Sequence, residues 1–262
     1  MLKQLAVVCC VRQKVRRRDL EAAQRVPSRV TWPRTRTTHF SMVTDVQRLG
    51  SSELQQQAVP VVGPGDELQA SAASSVATIG LALRHREFGR VVTTAGHAFV
   101  GSTPGTRLFD PATPTVRVAN VGASGTFDAV PLKAVRVPEG DYALLRPQAE
   151  PRNLFQDSLN LSGLHFARPE DEGTPLFAMT RRGLEPTVLR GVAATFVMGG
   201  VQMRGLFLTD PVTVAGDSGC CLVDSSFRVW GLLVGLQVIN GRPKSIFAAA
   251  DWVLALEIAE LG

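Results

Sequence analysis

The chain has 262 residues, of which 45% are hydrophobic and 6% aromatic, enough apolar content to bury the core of one domain of about 190 residues beside an N-terminal extension. No apolar run is long enough to span a membrane as a helix. The formal charge of +5 is uneven: residues 1–50 hold eleven Lys or Arg against Asp19, Glu21 and Asp45, a net of +8, which leaves −3 for the remainder.

Residues 1–50 read as a small basic module. An apolar strand is expected over 5–11, a charged helical stretch near 19–25 and a second strand over 40–47. The apolar run 5–11 is followed by Arg12, Lys14 and Arg16 to Arg18, the reverse of the order a secretory signal needs. Clustered Lys and Arg attract polyanions. Without interleaved aromatics or a nucleic-acid motif, a solvated basic face is the plainer reading, and nucleic acid stays an alternative partner. Residues 51–75, rich in Ser, Gln, Pro, Gly and Ala, read as a linker.

From residue 76 onward the pattern is all-β. Short β-branched and apolar runs separated by Gly and Pro are expected as strands at 76–83, 91–94, 115–121, 127–137 and 142–146. After a loop-like stretch over 147–173, further strands are expected at 176–180, 187–197, 201–208, 221–223, 229–238 and 245–249. Asp251 reads as the N-capping residue of a helix reaching to 260, with apolar residues at helical spacing.

Three short segments in this region imply a chemistry. A serine hydroxyl becomes a useful nucleophile when an imidazole takes its proton and a carboxylate fixes the tautomer of that imidazole. Ser218 in Gly216-Asp217-Ser218-Gly219, His97 in Thr94-Ala95-Gly96-His97, and Asp141 in Gly140-Asp141-Tyr142-Ala143 supply the three groups. Gly216 allows a turn in which its own amide and that of Ser218 face one developing oxyanion. Taken singly, each segment is also an ordinary turn or strand start. His39, His85 and His165 have no acidic or Cys neighbours at metal-ligand spacing, so structural or surface roles are expected for them.

The chain order His, Asp, Ser, with the His following an apolar strand, resembles the trypsin/chymotrypsin-like serine peptidases; subtilisins and α/β-hydrolases order their triads differently. The resemblance covers roughly residues 75–262. It implies two six-stranded antiparallel β-barrels, near 76–147 and 174–250, followed by the helix 251–260. It also implies a serine endopeptidase with His97, Asp141 and Ser218 catalytic, an oxyanion hole at Gly216 and Ser218, and no metal or organic cofactor.

The resemblance places Val212 at the base of the primary pocket and Val234, Gly235 and Leu236 along its wall. With no acid at position 212 and with Leu236 narrowing the site, a small or medium apolar side chain before the cut bond is expected. Two departures stand out. Cys220-Cys221 follow the Gly216–Gly219 tetrapeptide where the family commonly has Gly-Pro, and these two read as small buried apolar residues in preference to a redox switch beside the nucleophile. No Arg-Ile-Val-Gly type cleavage site precedes the first barrel, so either Asp217 has a partner other than a new N-terminus or the site is shaped by something else, a control the N-terminal module could supply.

The four cysteines form two adjacent pairs, Cys9-Cys10 and Cys220-Cys221, and not the spaced framework of secreted relatives. A reducing, cytoplasmic setting is therefore expected. The alternatives to an active peptidase are a latent or inactive protease-fold binding or assembly protein, and a protease recruited to polyanions by its basic N-terminus.

Overall fold

The computed structural model describes residues 6–11, 29–33, 39–48, 61–69, 76–120, 125–156 and 159–262. The chain divides into two units, Met1–Ala58 and Val59–Gly262. In the first unit, strand His39–Arg48 is the centre of a three-stranded sheet. It pairs in parallel with Ala6–Val11 and antiparallel with Arg29–Pro33. The two outer expectations of this region correspond to strands, and Arg29–Pro33 is an additional one. The expected helix at 19–25 lies outside the described residues.

The second unit holds two closed β-structures. Strands Glu67–Gln69, Val76–Thr78, Ala82–His85, Gly89–Thr94, Gly140–Pro147, Gly125–Val137 and Val116–Asn120 follow one another in an antiparallel path that returns to Glu67–Gln69. Residues 79–81 join Val76–Thr78 and Ala82–His85 into one strand that is hydrogen-bonded on both sides. The Ile79 amide donates to Asp66 O at 2.8 Å on one side, and the Gly80 amide donates to Thr93 O at 2.8 Å on the other. Closure therefore gives a six-stranded barrel.

Strands Pro175–Thr180, Gly183–Met198, Val201–Thr209, Arg242–Ala249, Arg228–Ile239 and Cys221–Val223 form the second ring, which closes through the pairing of Arg228–Ile239 with both Arg242–Ala249 and Cys221–Val223. Full closure leaves neither barrel with a long open edge.

Alternation along these strands sends one set of side chains inward. Leu68, Ile79, Val92, Val118 and Leu145 fill the first barrel, while Leu176, Leu189, Phe207, Trp230 and Phe247 fill the second. A third cluster draws on both sheets, with Leu81, Leu83, Tyr142 and Leu144 from the first and Met179, Cys221, Val223 and Leu232 from the second. This shared core fixes the two barrels against each other, so groups on the facing loops can meet at defined distances.

Residues 61–69 fall within the stretch that reads as a linker, yet Leu68 is fully buried and Glu67–Gln69 is a strand of the first barrel. Gly and Pro around it mark tight turns here and not a loose tether.

The C-terminal helix is Ala250–Glu257, with Ala249 at the N-cap and no side-chain cap. Asp251 is therefore a first-turn residue and not the cap, where its charge still suits the helix N-terminus. Helix does not extend to 260: Ile258 takes a left-handed conformation, and Ala259–Leu261 pairs with Ala82–His85. Glu257 is buried against the first barrel and accepts from Lys133 Nζ at 2.8 and 2.9 Å and from the Tyr142 hydroxyl. His85 Nδ1 accepts the amides of Glu87 and Phe88, so Nε2 carries the proton and donates to Glu257 at 3.2 Å.

No helix among the described residues is long and apolar enough to cross a membrane.

Candidate active site

Strand Gly89–Thr94 carries the chain to Ala95-Gly96, and a single helical turn, His97–Val100, follows. Gly96 is required by contact: a Cβ there would lie 2.4 Å from Val135 O, 2.7 Å from Tyr142 O and 2.8 Å from Asp141 Oδ1. That close approach lets one carboxylate hold both the backbone and the ring of the next residue. Asp141 Oδ1 accepts the His97 amide at 2.7 Å, and Oδ2 lies 2.9 Å from His97 Nδ1. Because a carboxylate oxygen can only accept, Nδ1 bears the hydrogen and Nε2 is left as the basic nitrogen. Asp141 is buried, whereas the imidazole is about one-third exposed.

Ser218 comes from the opposite barrel, on the loop between Val201–Thr209 and Cys221–Val223. Gly216 and Gly219 both take positive φ, +96° and +92°, conformations that a Cβ disfavours. The loop is pressed against the His97 side of the molecule. Thr78 N donates to Ser218 O at 2.9 Å, Thr78 Oγ1 donates to Gly216 O at 2.8 Å, and a Cβ on Gly219 would sit 2.6 Å from Ala95 N. Among the described residues, the amides of Gly216 and Ser218 donate to no protein acceptor, and the Ser218 hydroxyl makes no hydrogen bond. The structure thus joins His97 to Asp141 and brings the Ser218 backbone beside the His97 turn, while no hydrogen bond links Ser218 to His97.

Asp217 is fully buried and has its partners within the same unit. Val214 N donates to its Oδ2 at 2.9 Å, Arg182 Nη2 does so at 3.0 Å, and Arg181 Nε lies 3.8 Å from Oδ1. Arg182 also donates to Val212 O, and Arg181 to Ala215 O, so two arginines at one strand end brace the loop before the serine. Sequence reasoning left this partner open. The Arg181-Arg182 pair was visible, but nothing local ties it to a loop 35 residues away.

The candidate pocket residues differ in burial, although Val212 N donates to Ser245 Oγ and Ser245 pairs with Leu236. Val212 packs beside the second-barrel core, and Val234 is buried with Val201, Met203 and Ile246. Leu236 is 47% exposed, and Gly235 faces Met198, whose Cε is 3.1 Å from where a Cβ would be. Two hydroxyls not singled out from sequence, Thr213 and Ser245, bond each other at 2.9 Å behind Val212.

Cys220 and Cys221 are free, fully buried thiols, and desolvation pushes both well above the usual thiol range. Cys221 Sγ donates to Gly80 O. Of the remaining histidines, His165 stacks on Trp230 and bonds Asp171. No cluster of metal-binding side chains occurs among the described residues.

No protein-family model matches the sequence, and no curated protein sequence matches it. Solved structures do. Thermobifida fusca Protease A aligns over 77% of this chain and 98% of its own, with a TM-score of 0.55 at 17% identity. The Cellulomonas bogoriensis chymotrypsin gives the same coverage and TM-score at 18% identity, and the Nocardiopsis protease a TM-score of 0.56 at 15%, again over 77% of this chain and 98% of its own. The fold is that of the chymotrypsin-like bacterial serine proteases. In this fold His97 and Asp141 come from the first barrel and the Ser218 loop from the second.

Proposed function

We propose that the protein is a serine endopeptidase. The observation that carries this reading is the buried Asp141 carboxylate, which grips the amide and Nδ1 of His97 while the Ser218 loop is held against the same turn. In the proposed reaction His97 Nε2 takes the Ser218 proton as Oγ attacks a peptide carbonyl. Asp141 stabilises the resulting imidazolium, and the free amides of Gly216 and Ser218 hold the oxyanion. His97 then protonates the leaving amine, and water releases the acyl group.

The side chain before the cut bond is proposed to be small or medium and apolar. In support, the hydroxyls of Thr213 and Ser245 satisfy each other, and Arg182, which donates to Val212 O, is engaged by Asp217. A reducing, cytoplasmic compartment is proposed on the free thiols of Cys220 and Cys221.

A second reading, a latent enzyme or a binding protein on this scaffold, is favoured by one observation, the absence of a hydrogen bond from the Ser218 hydroxyl to His97. Fluorophosphonate labelling separates the two. Labelling of the parent that disappears in Ser218→Ala and His97→Ala supports the peptidase; a folded parent that does not label supports the latent form. Catalytic hydrogen bonds often tighten only once substrate is bound, so the chemical test outranks the resting geometry.

A further inference from the structure

Arg136 is buried and takes no part in the reaction as described. It lies on strand Gly125–Val137 directly opposite Asp141 in the antiparallel register. Its guanidinium touches three elements. Nη1 donates to Gly101 O, at the end of the His97 turn, at 2.6 Å; Nη2 donates to Met198 O, at the tip of a second-barrel hairpin, at 2.8 Å. Nε is 3.5 Å from Asp141 Oδ2, the oxygen that holds His97 Nδ1, and makes no hydrogen bond of its own.

The hairpin tip is shaped around this group. Gly199 has φ +52°, and a Cβ on it would fall 2.2 Å from Arg136 Nη2. Met198 in turn lies against Gly235 on strand Arg228–Ile239. A continuous line of contacts therefore runs from Gly235 through Met198 and Arg136 to Asp141 and His97. Burying a guanidinium is costly unless specific partners repay it, and an apolar residue would fill the same strand position without that cost. The partners of Arg136 are Asp141 and Met198 in this line and Gly101 at the end of the His97 turn.

We infer that Arg136 is a positioning residue of the proposed catalytic site, holding the Asp141 carboxylate in line with His97 and locking it to the hairpin turn that meets Gly235. The inference rests on the endopeptidase reading. A peptide laid along Gly235 presses on Met198, and the guanidinium passes that displacement to the His97–Asp141 pair.

Among the described residues, Arg136 is the charged side chain that faces the pair, from strand Gly125–Val137; the carbonyls of Gly101 and Met198 accept from its guanidinium and not from the pair. Arg181 and Arg182 are engaged by Glu67, Asp217 and Glu185. Removing the Arg136 cation therefore leaves Asp141 free to favour the imidazolium more strongly.

The test uses the full chain, with the fluorophosphonate labelling rate measured against pH and the low-field proton resonance of His97 Nδ1–H followed by NMR. In Arg136→Met the acid limb of the labelling profile should move upward, the plateau rate should fall about tenfold or more, and the resonance should shift or broaden. Arg136→Lys should keep the acid limb near the parent position yet lose plateau rate, since one ammonium cannot reach both carbonyls. Gly199→Ala, outside the catalytic machinery, should also lower the plateau.

A purely structural arginine would lower the rate equally at every pH. An unmoved acid limb together with an unmoved resonance in both Arg136 variants overturns the inference. Should the parent itself fail to label, the endopeptidase reading falls, and the resonance alone decides: displaced in Arg136→Met it upholds the positioning role, and unchanged it removes it. Should Arg136→Met not fold, the His97 resonance in Gly199→Ala and Arg136→Lys decides in the same way: displaced it upholds the positioning role, and unchanged in both it removes it.

Discussion

Replacing Arg182 by Ala tests how the serine loop is held. The Asp217 carboxylate is completely buried, and its Oδ1 makes no hydrogen bond. Without Arg182 it would retain only the Val214 amide at 2.9 Å and the more distant Arg181 at 3.8 Å. Breaking a fully buried ion pair by removing one partner costs roughly 3–5 kcal/mol. The Arg182 side chain is 40% exposed, so water screens part of the interaction and a remaining cation takes up some of the charge. The expected loss is about 1–3 kcal/mol, measured by urea unfolding at pH 7 and low salt.

Because Arg182 also holds Val212 O, fluorophosphonate labelling of Ser218 should slow about tenfold as the loop loosens. The pairing itself is measured by a double-mutant cycle with Asp217→Asn. A loss below about 0.5 kcal/mol, or single effects that simply add within about 0.3 kcal/mol, would refute the account of Asp217 as a carboxylate held by Arg182.

The other expectations concern a carboxylate held by two cations and a contact glycine. Asp210 accepts from Arg190 and Lys244, and these bonds lower its carboxyl to about 2; the resulting stabilisation is present above about pH 4 and disappears as pH falls toward 2. With the side chain 35% exposed, Asp210→Asn should cost under about 1 kcal/mol at pH 7; parent and variant urea curves should converge on acidification, and a gap that stays constant down to pH 2.5 would contradict the assignment. Gly96→Ala forces a methyl onto two carbonyls and the Asp141 carboxylate, so about 1–3 kcal/mol of stability and most Ser218 labelling should be lost; a variant that unfolds and labels like the parent would show that the close approach is not needed.

Much of the barrel architecture is legible along the chain because it follows from local rules. Val91-Val92-Thr93-Thr94 is a β-branched run beside a turn, and it is a strand. Gly216 and Gly219 occupy left-handed positions, as the turn chemistry of their tetrapeptide suggests. Reading fails where composition and burial diverge: Gly63-Pro64-Gly65 resembles a tether, yet Leu68 three residues on completes the first barrel. It also fails at the helix start, where Asp251 has the chemistry of a cap but the preceding strand runs on through Ala249 into the first turn.

The sequence by itself determined the alternation of apolar residues, the glycines where the backbone must turn, and the order of His97, Asp141 and Ser218. Only the tertiary structure decided which charges meet. Arg182 with Asp217, Arg136 with Asp141, and Glu257 with Lys133, Tyr142 and His85 were three arrangements among 28 cations and 23 acids. Backbone preference acts over a few residues and leaves a local pattern. An ion pair between distant strands is set by barrel closure, which brings the partners together and excludes the water that would otherwise weaken their attraction.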